Sequence, residues 1–345
     1  MIAVARSEAR MGIATLFVDV YIVNSNGSII GPGYVRVSDG VISHIGIGEP
    51  PEEAQLAELV LGGRGRLLYP GFGAALVYPE TYILRDYING DGLPDKSILE
   101  CIKEMNEEEA YYSSLMAFYE MSLAGYTRVT ALSPHPSAVA RALKEAGLVG
   151  AVLALVEDAS KLKDFSGLKR DMGNEVVLGA AITRPVSSEV LIEGIRCIVE
   201  DKCNIYCNDR IIVPFGCEGE GIIAPVYPFV TPSQIMQKYR AQGLLSLIRD
   251  AHRLISKDYA PLDKGARAHI AVYDVSEPPS WIGPLELASP YMLTPLARAE
   301  TLVSEGRLVI DGGEHLFLGP EASEKAMEVL GDVRRRCSKR LNKVW

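Results

Sequence analysis

Strand-like alternation at both ends of the chain brackets a middle where helical periods alternate with short apolar runs, and this constrains the fold more than any other feature. Residues 14–47 contain LFVDVYIV, NSNGSIIGPG and YVRVSDGVISHIGIG, β-branched runs separated by Asn, Gly and Asp turns. β character returns in HIAVYDVSEP (269–278) and ARAETLVSEGRLVIDGGE (297–314). A helix, EASEKAMEVLGDVRRRCSKRLNKV, follows over 321–344.

Between about 75 and 260 the period changes. EEEAYYSSLMAFYEMSLA (107–124) predicts a helix closed by Gly125, and YTRVTALS (126–133) a strand. Residues 136–146 predict a helix closed by Gly147, then VGAVLALVE and EVVLGAAIT predict buried strands. SSEVLIEGIRCIVED (187–201) reads as a helix, CNIYCNDRIIVPFG (203–216) as one or two strands, and 233–256 as a helix. Strand and helix in alternation imply a mostly parallel sheet.

The net charge of -9 repels phosphate backbones and anionic lipid, so nucleic-acid and membrane partners are not expected. No apolar run reaches the ~20 residues of a membrane helix, and the first ten residues carry charges where a signal peptide needs apolar ones. Six cysteines in 345 residues with no CxxC pair predict a reducing, cytoplasmic setting.

Several strings resemble the amidohydrolase superfamily of metal-dependent hydrolases, in its branch of deaminases and triazine chlorohydrolases. They are VSDGVISHIGIG (37–48), GRGRLLYPGF (63–72), EEAYYSSLMAFYEMSLAGYTRVT (108–130), PSAVARALKEAG (136–147), DKGARAHIAVYDV (263–275) and TLVSEGRLVIDGGE (301–314). The resemblance implies a composite β-sandwich from residues 1–69 and 260–320, a TIM-like (β/α) barrel over 70–259, and a C-terminal basic helix at 321–345.

Two departures qualify it. Where the family places a His-x-His metal motif, this chain has Leu76 and Tyr78, and its five histidines (His44, His135, His252, His269, His315) form no HxH or HxxH. Neither leucine nor a neutral phenol replaces an imidazole on a catalytic metal. The 187 residues from 70 to 256 also fall short of the ~250 of a complete barrel, which predicts five or six strand-helix units and a loss between about 180 and 235.

The sequence therefore predicts an incomplete or remodelled barrel with no metal, the alternative being a divalent ion such as zinc. The functional expectation is an amidohydrolase-like protein without the metal-dependent activity, serving as a small-molecule binder or assembly subunit and forming a homo-oligomer. The alternative is an active hydrolase on carbon-nitrogen bonds of a cyclic substrate, using a rebuilt site.

Barrel chemistry sits at the C-terminal strand ends. The candidates there are Glu80, His135 and Asp209 for catalysis, and Tyr78, Arg85, Glu157 and Arg184 for a small polar ligand. The plainer reading of each is an ordinary cap or turn residue at a strand end. Cys197, Cys203, Cys207 and Cys217 crowd together without a second close pair for zinc, so they read as apolar filling; a disulfide is expected mainly in a hyperthermophile. GCEGEG (216–221) reads as a mobile loop over the barrel mouth. The six cations Arg334, Arg335, Arg336, Lys339, Arg340 and Lys343 read as a favourable helix terminus or a patch for an acidic partner or RNA.

Overall fold

A computed structural model describes residues 13–88, 90–156, 176–182, 196–199, 203 and 205–341. The chain forms two compact units. One comprises the stretch ending at Gly73 with Ser122–Arg128 and Thr231–Phe317; the other comprises Ala74–Met121, Val129–Val230 and the chain from Leu318 on.

The first unit is built on strands from both halves of the sequence: β1 (Thr15–Val23), β2 (Ile29–Ser38), β3 (Val41–Ile47), β4 (Leu59–Pro70), and later β13 (Ile270–Asp274), β14 (Thr301–Ser304), β15 (Arg307–Asp311) and β16 (Glu314–His315). They form one sheet in the order β16-β15-β14-β13-β4-β1-β2-β3, with β4 antiparallel to β13. Two-residue turns with left-handed backbone at Asp39-Gly40 and Glu305-Gly306 set the β2–β3 and β14–β15 registers. Asp19, φ 52°, marks a bulge that bends β1.

That bend matters because the sheet turns back on itself. Ile42 N–H donates to Ala266 O at 2.9 Å and Ala268 N–H to Gly40 O at 3.0 Å, so the β3 side meets the chain just before β13. The enclosed core holds Phe17, Val20, Ile22, Val35, Ile42, Leu68, Ile270, Val272 and Val303. One folded-over sheet thus encloses this core. Helix α4 (Pro232–Leu245) also belongs to this unit, with a Thr231/Gln234 capping box and Pro232 in its first turn.

The second sheet runs β12-β11-β10-β9-β8-β7-β6-β5. Its strands are β5 (Phe72–Val77), β6 (Tyr126–Ser133), β7 (Val149–Val156), β8 (Val176–Ile182), β9 (Arg196–Val199), β10 (Ile205–Cys207), β11 (Arg210–Pro214) and β12 (Ile222–Ala224). β7, β8 and β9 are parallel, β10 is antiparallel to both its neighbours, and β11 is parallel to β12. Just past β12, Val226 bridges Val77 in parallel: Tyr78 N–H donates to Val226 O at 2.8 Å and Val226 N–H to Leu76 O at 3.0 Å. The two margins of the sheet meet there.

Helices α1 (Lys96–Lys103), α2 (Glu107–Leu123) and α3 (Pro136–Glu145) punctuate the first strands. Gly125 ends α2 at φ 93°, in backbone that residues with a side chain rarely adopt. Among the described residues this sheet has eight strands, and its last four, β9 to β12, are short, at 4, 3, 5 and 3 residues. Arg196–Val199, read from sequence as helix, is β9, because apolar Cys197 and Ile198 suit a buried strand as well as a helix face.

The reading of the clustered cysteines as free apolar filling is corrected. Cys197 lies directly opposite Cys207 in the β9–β10 pairing and the two form a disulfide, while Cys203 is joined to Cys217. The second bond ties down the GCEGEG segment, which is pinned at Cys217 and not a free lid. No helix among the described residues is long and apolar enough to cross a membrane.

The C-terminal helix α5 (Pro320–Leu341) packs into the second unit, burying Ala326, Leu330, Val333, Cys337 and Leu341. Its cations are largely engaged within the fold: Arg334 pairs with Asp86, Arg336 with Glu109 at 2.9 Å, and Arg340 with Glu104 at 2.8 Å.

Candidate functional site

β5 is buried at all six positions, so FGAALV delivers the chain to Tyr78 at the C-terminal edge of the sheet. Tyr78 is itself buried, and burial raises its hydroxyl pKa above the ordinary value. It lines a cavity of about 460 Å³ together with Leu155 near the end of β7, Val199 at the end of β9, Leu93, and Lys96, Leu99, Glu100 and Lys103 of α1. An apolar floor with a phenol, two cations and a carboxylate at its margin suits a small polar molecule.

Glu80 lies in the first turn of the 3-10 helix Pro79–Tyr87 and is fully buried. The Ser133 hydroxyl, at the end of β6, donates to its Oε1, and Ser133 Oγ accepts the His135 backbone N–H at 2.7 Å. Ser113 Oγ donates to the Glu80 carbonyl at 2.9 Å, while Oε2 has no hydrogen-bond partner. Burial pushes the carboxyl up to about 7, against the lowering effect of the Ser133 bond. A carboxyl titrating there exchanges protons readily near neutrality.

The fold brings Glu80 and His135 together through Ser133. The His135 ring is spent elsewhere, with Nε2 at 2.9 Å from Ile102 O, which orients it as a brace between β6 and α1. Arg85 faces outward, stacked over Tyr82 at 4.8 Å and paired with Glu120 at 3.3 Å. Asp209 stands apart in the exposed Asn208-Asp209 turn between β10 and β11, with φ 64°. Asx residues favour that left-handed turn. Glu157 and Arg184 lie outside the described residues.

Sequence reasoning missed Ser133, whose neutral hydroxyl gives no charge signal, and α1, whose KSILECIK pattern of apolar positions was the available clue. Leu76 and Tyr78, where the resemblance places two histidines, are buried and offer no imidazole, and among the described residues no group of three or more His, Cys, Asp or Glu could hold an ion. Two histidines do touch in the first unit, His252 and His269, with ring centroids 5.1 Å apart. Burial, and then the Arg128 guanidinium, hold both well below the usual imidazole range, and that guanidinium would repel a cation.

No family model matches the sequence. The chain is similar to the 5-methylthioadenosine/S-adenosylhomocysteine deaminase of Acetivibrio thermocellus, 26% identical over 141 residues, covering 40% of this chain and 33% of that protein. The corresponding deaminase of Moorella thermoacetica is 28% identical over 167 residues, covering 47% and 38%. The matched stretch thus spans about a third of the length of these curated relatives. Among solved structures, a triazine hydrolase variant superposes with a TM-score of 0.68 at 9% identity, covering 92% of this chain and 99% of the other. Atrazine chlorohydrolase from Arthrobacter aurescens, complexed with zinc, gives 0.67 at 10% identity, covering 92% and 100%.

Proposed function

We propose that the chain is an amidohydrolase-like protein that acts on a carbon-nitrogen bond of a small cyclic substrate through a rebuilt site. The supporting observation is Glu80: a buried carboxyl poised at about 7, held by Ser133, with one oxygen unpartnered. The substrate occupies the cavity beside Tyr78, two residues before Glu80, and turnover requires an opening that brings the buried carboxyl to that cavity. Glu80 takes a proton from the attacking water and returns it to the departing nitrogen, both of which a carboxyl with this pKa can do near pH 7. The deaminase and hydrolase names of the relatives favour this reading over loss of activity.

A second reading is binding without turnover, the protein serving as a small-molecule binder or assembly subunit. It is favoured by Leu76 and Tyr78 at the metal-ligand positions and by the complete burial of Glu80. One experiment separates the two. The protein is incubated with 5-methylthioadenosine or S-adenosylhomocysteine, with and without added zinc, while ammonia release and thermal stability are followed. Ammonia release that Glu80→Gln abolishes in a folded protein supports hydrolysis by the rebuilt site. A ligand-dependent rise in Tm without ammonia supports binding alone. Turnover only with stoichiometric zinc overturns both. The homo-oligomer and the cytoplasmic setting belong to the same proposal, and light scattering tests the former.

A further inference from the structure

Two cysteines remain outside the disulfides, and both are buried: Cys101 on α1, 2% exposed, and Cys337 on α5, 4% exposed. They are 236 positions apart in sequence, yet α1 packs against α5 and brings the Cys101 thiol close enough to act on that of Cys337. Each lies on the inward stripe of its helix, with Ile98 and Ile102 on α1 and Val333 and Leu341 on α5. Ion pairs flank the contact, Arg340 to Glu104 just beyond α1 and Arg336 to Glu109 on α2. The two helices are thus held in register around the thiol pair.

We propose that Cys101 and Cys337 form a third disulfide, an oxidative modification site that staples the C-terminal helix to α1. The outward positions of α1, Lys96, Leu99, Glu100 and Lys103, line the cavity of the second unit, so the bond fixes one wall of that cavity.

The co-reactant is a small-molecule disulfide. A thiolate of the pair attacks one sulfur of it and expels a small thiol; the second protein thiolate then displaces the other. The pair loses two electrons and two protons, and the small disulfide leaves as two thiols. Burial and the neighbouring Cys101 push the Cys337 thiol up to about 12, so exchange proceeds through opening of the last turns of α5.

The test uses the full chain, purified without reductant and held with oxidised glutathione about 10 °C below its Tm, a range in which helix ends open. It is then blocked with N-ethylmaleimide under denaturing conditions and mapped by non-reducing peptide mass spectrometry. The expected result is a peptide joining Cys101 to Cys337 with neither residue alkylated. Tm should stand about 5–10 °C above that of a Cys101→Ser/Cys337→Ser protein. Cys337→Ser alone should yield Cys101 alkylated or glutathionylated while the other two disulfides persist. Recovery of both residues alkylated or separately glutathionylated, with Cys197–Cys207 and Cys203–Cys217 intact, would overturn the proposal, as would linkage of either cysteine to one of those four.

Discussion

The Ser133 hydroxyl donates to Oε1 of Glu80, tying the end of β6 to the turn that follows β5. This bond is the main influence lowering a carboxyl that burial raises. Ser133→Ala should therefore move the Glu80 pKa above about 7 and cost roughly 1–3 kcal/mol of stability at pH 8, where the carboxylate loses its donor. Carbon-13 NMR titration of the glutamate side chains reads the first effect and urea unfolding the second. An unmoved pKa would sink the claim.

Glu80 also makes stability depend on pH. Its folded pKa, about 7, exceeds the ordinary 4.5, so the folded state holds more protons between those values. Its contribution is then fully present below about 4.5 and is lost as pH rises through 7, about 3 kcal/mol in all. Glu80→Gln should flatten this term and gain on the native protein between pH 5 and 8. Parallel stability curves for the two proteins would contradict it.

His252 and His269 work in the opposite direction. Both are held well below 6.5 in the fold, so the unfolded chain binds more protons below that pH and stability falls on acidification from 6.5. The slope approaches about 2.7 kcal/mol per pH unit for the two together, partly offset by Glu80 in the same window. His269→Asn should remove about half, measured as the urea midpoint between pH 7.5 and 5.

The ion pairs of α5 are unequal. Arg336 bonds both oxygens of Glu109, at 2.9 and 3.0 Å, and the Glu109 side chain is only 8% exposed. Arg336→Ala leaves that carboxylate short of its cation and should cost about 1–3 kcal/mol. Arg335, exposed and paired with Asp332 one turn away, should cost under about 0.5 kcal/mol when changed to Ala. Equal losses in chemical denaturation would refute the distinction.

Leu76 and Tyr78 make a prediction about metal. Dialysis against a chelator should leave Tm unchanged, and elemental analysis should find far less than one zinc per chain. Retained stoichiometric zinc whose removal lowers Tm would reverse the assignment of those two positions.

Much of this architecture is legible in local sequence. The Asp39-Gly40 turn and the alternation of β1 to β3 identify the first hairpins, and Gly125 and Gly147 end helices where the apolar period stops. The site is less legible. Ser133 matters through a long-range bond to a residue 53 positions away, and no local pattern carries that information. β9 misleads because four residues are too few for a period to declare itself. The disulfides depend on a strand pairing that places Cys197 across from Cys207, a register the spacing alone does not encode.

The bridge between Val77 and Val226 has a consequence for solubility. A row of unsatisfied amides along an open border invites another molecule to add its own strand, the starting point of fibrils and swapped dimers. By closing that end of the border, the chain shortens the template on offer there, and oligomers of this protein should not form by adding strands at that end.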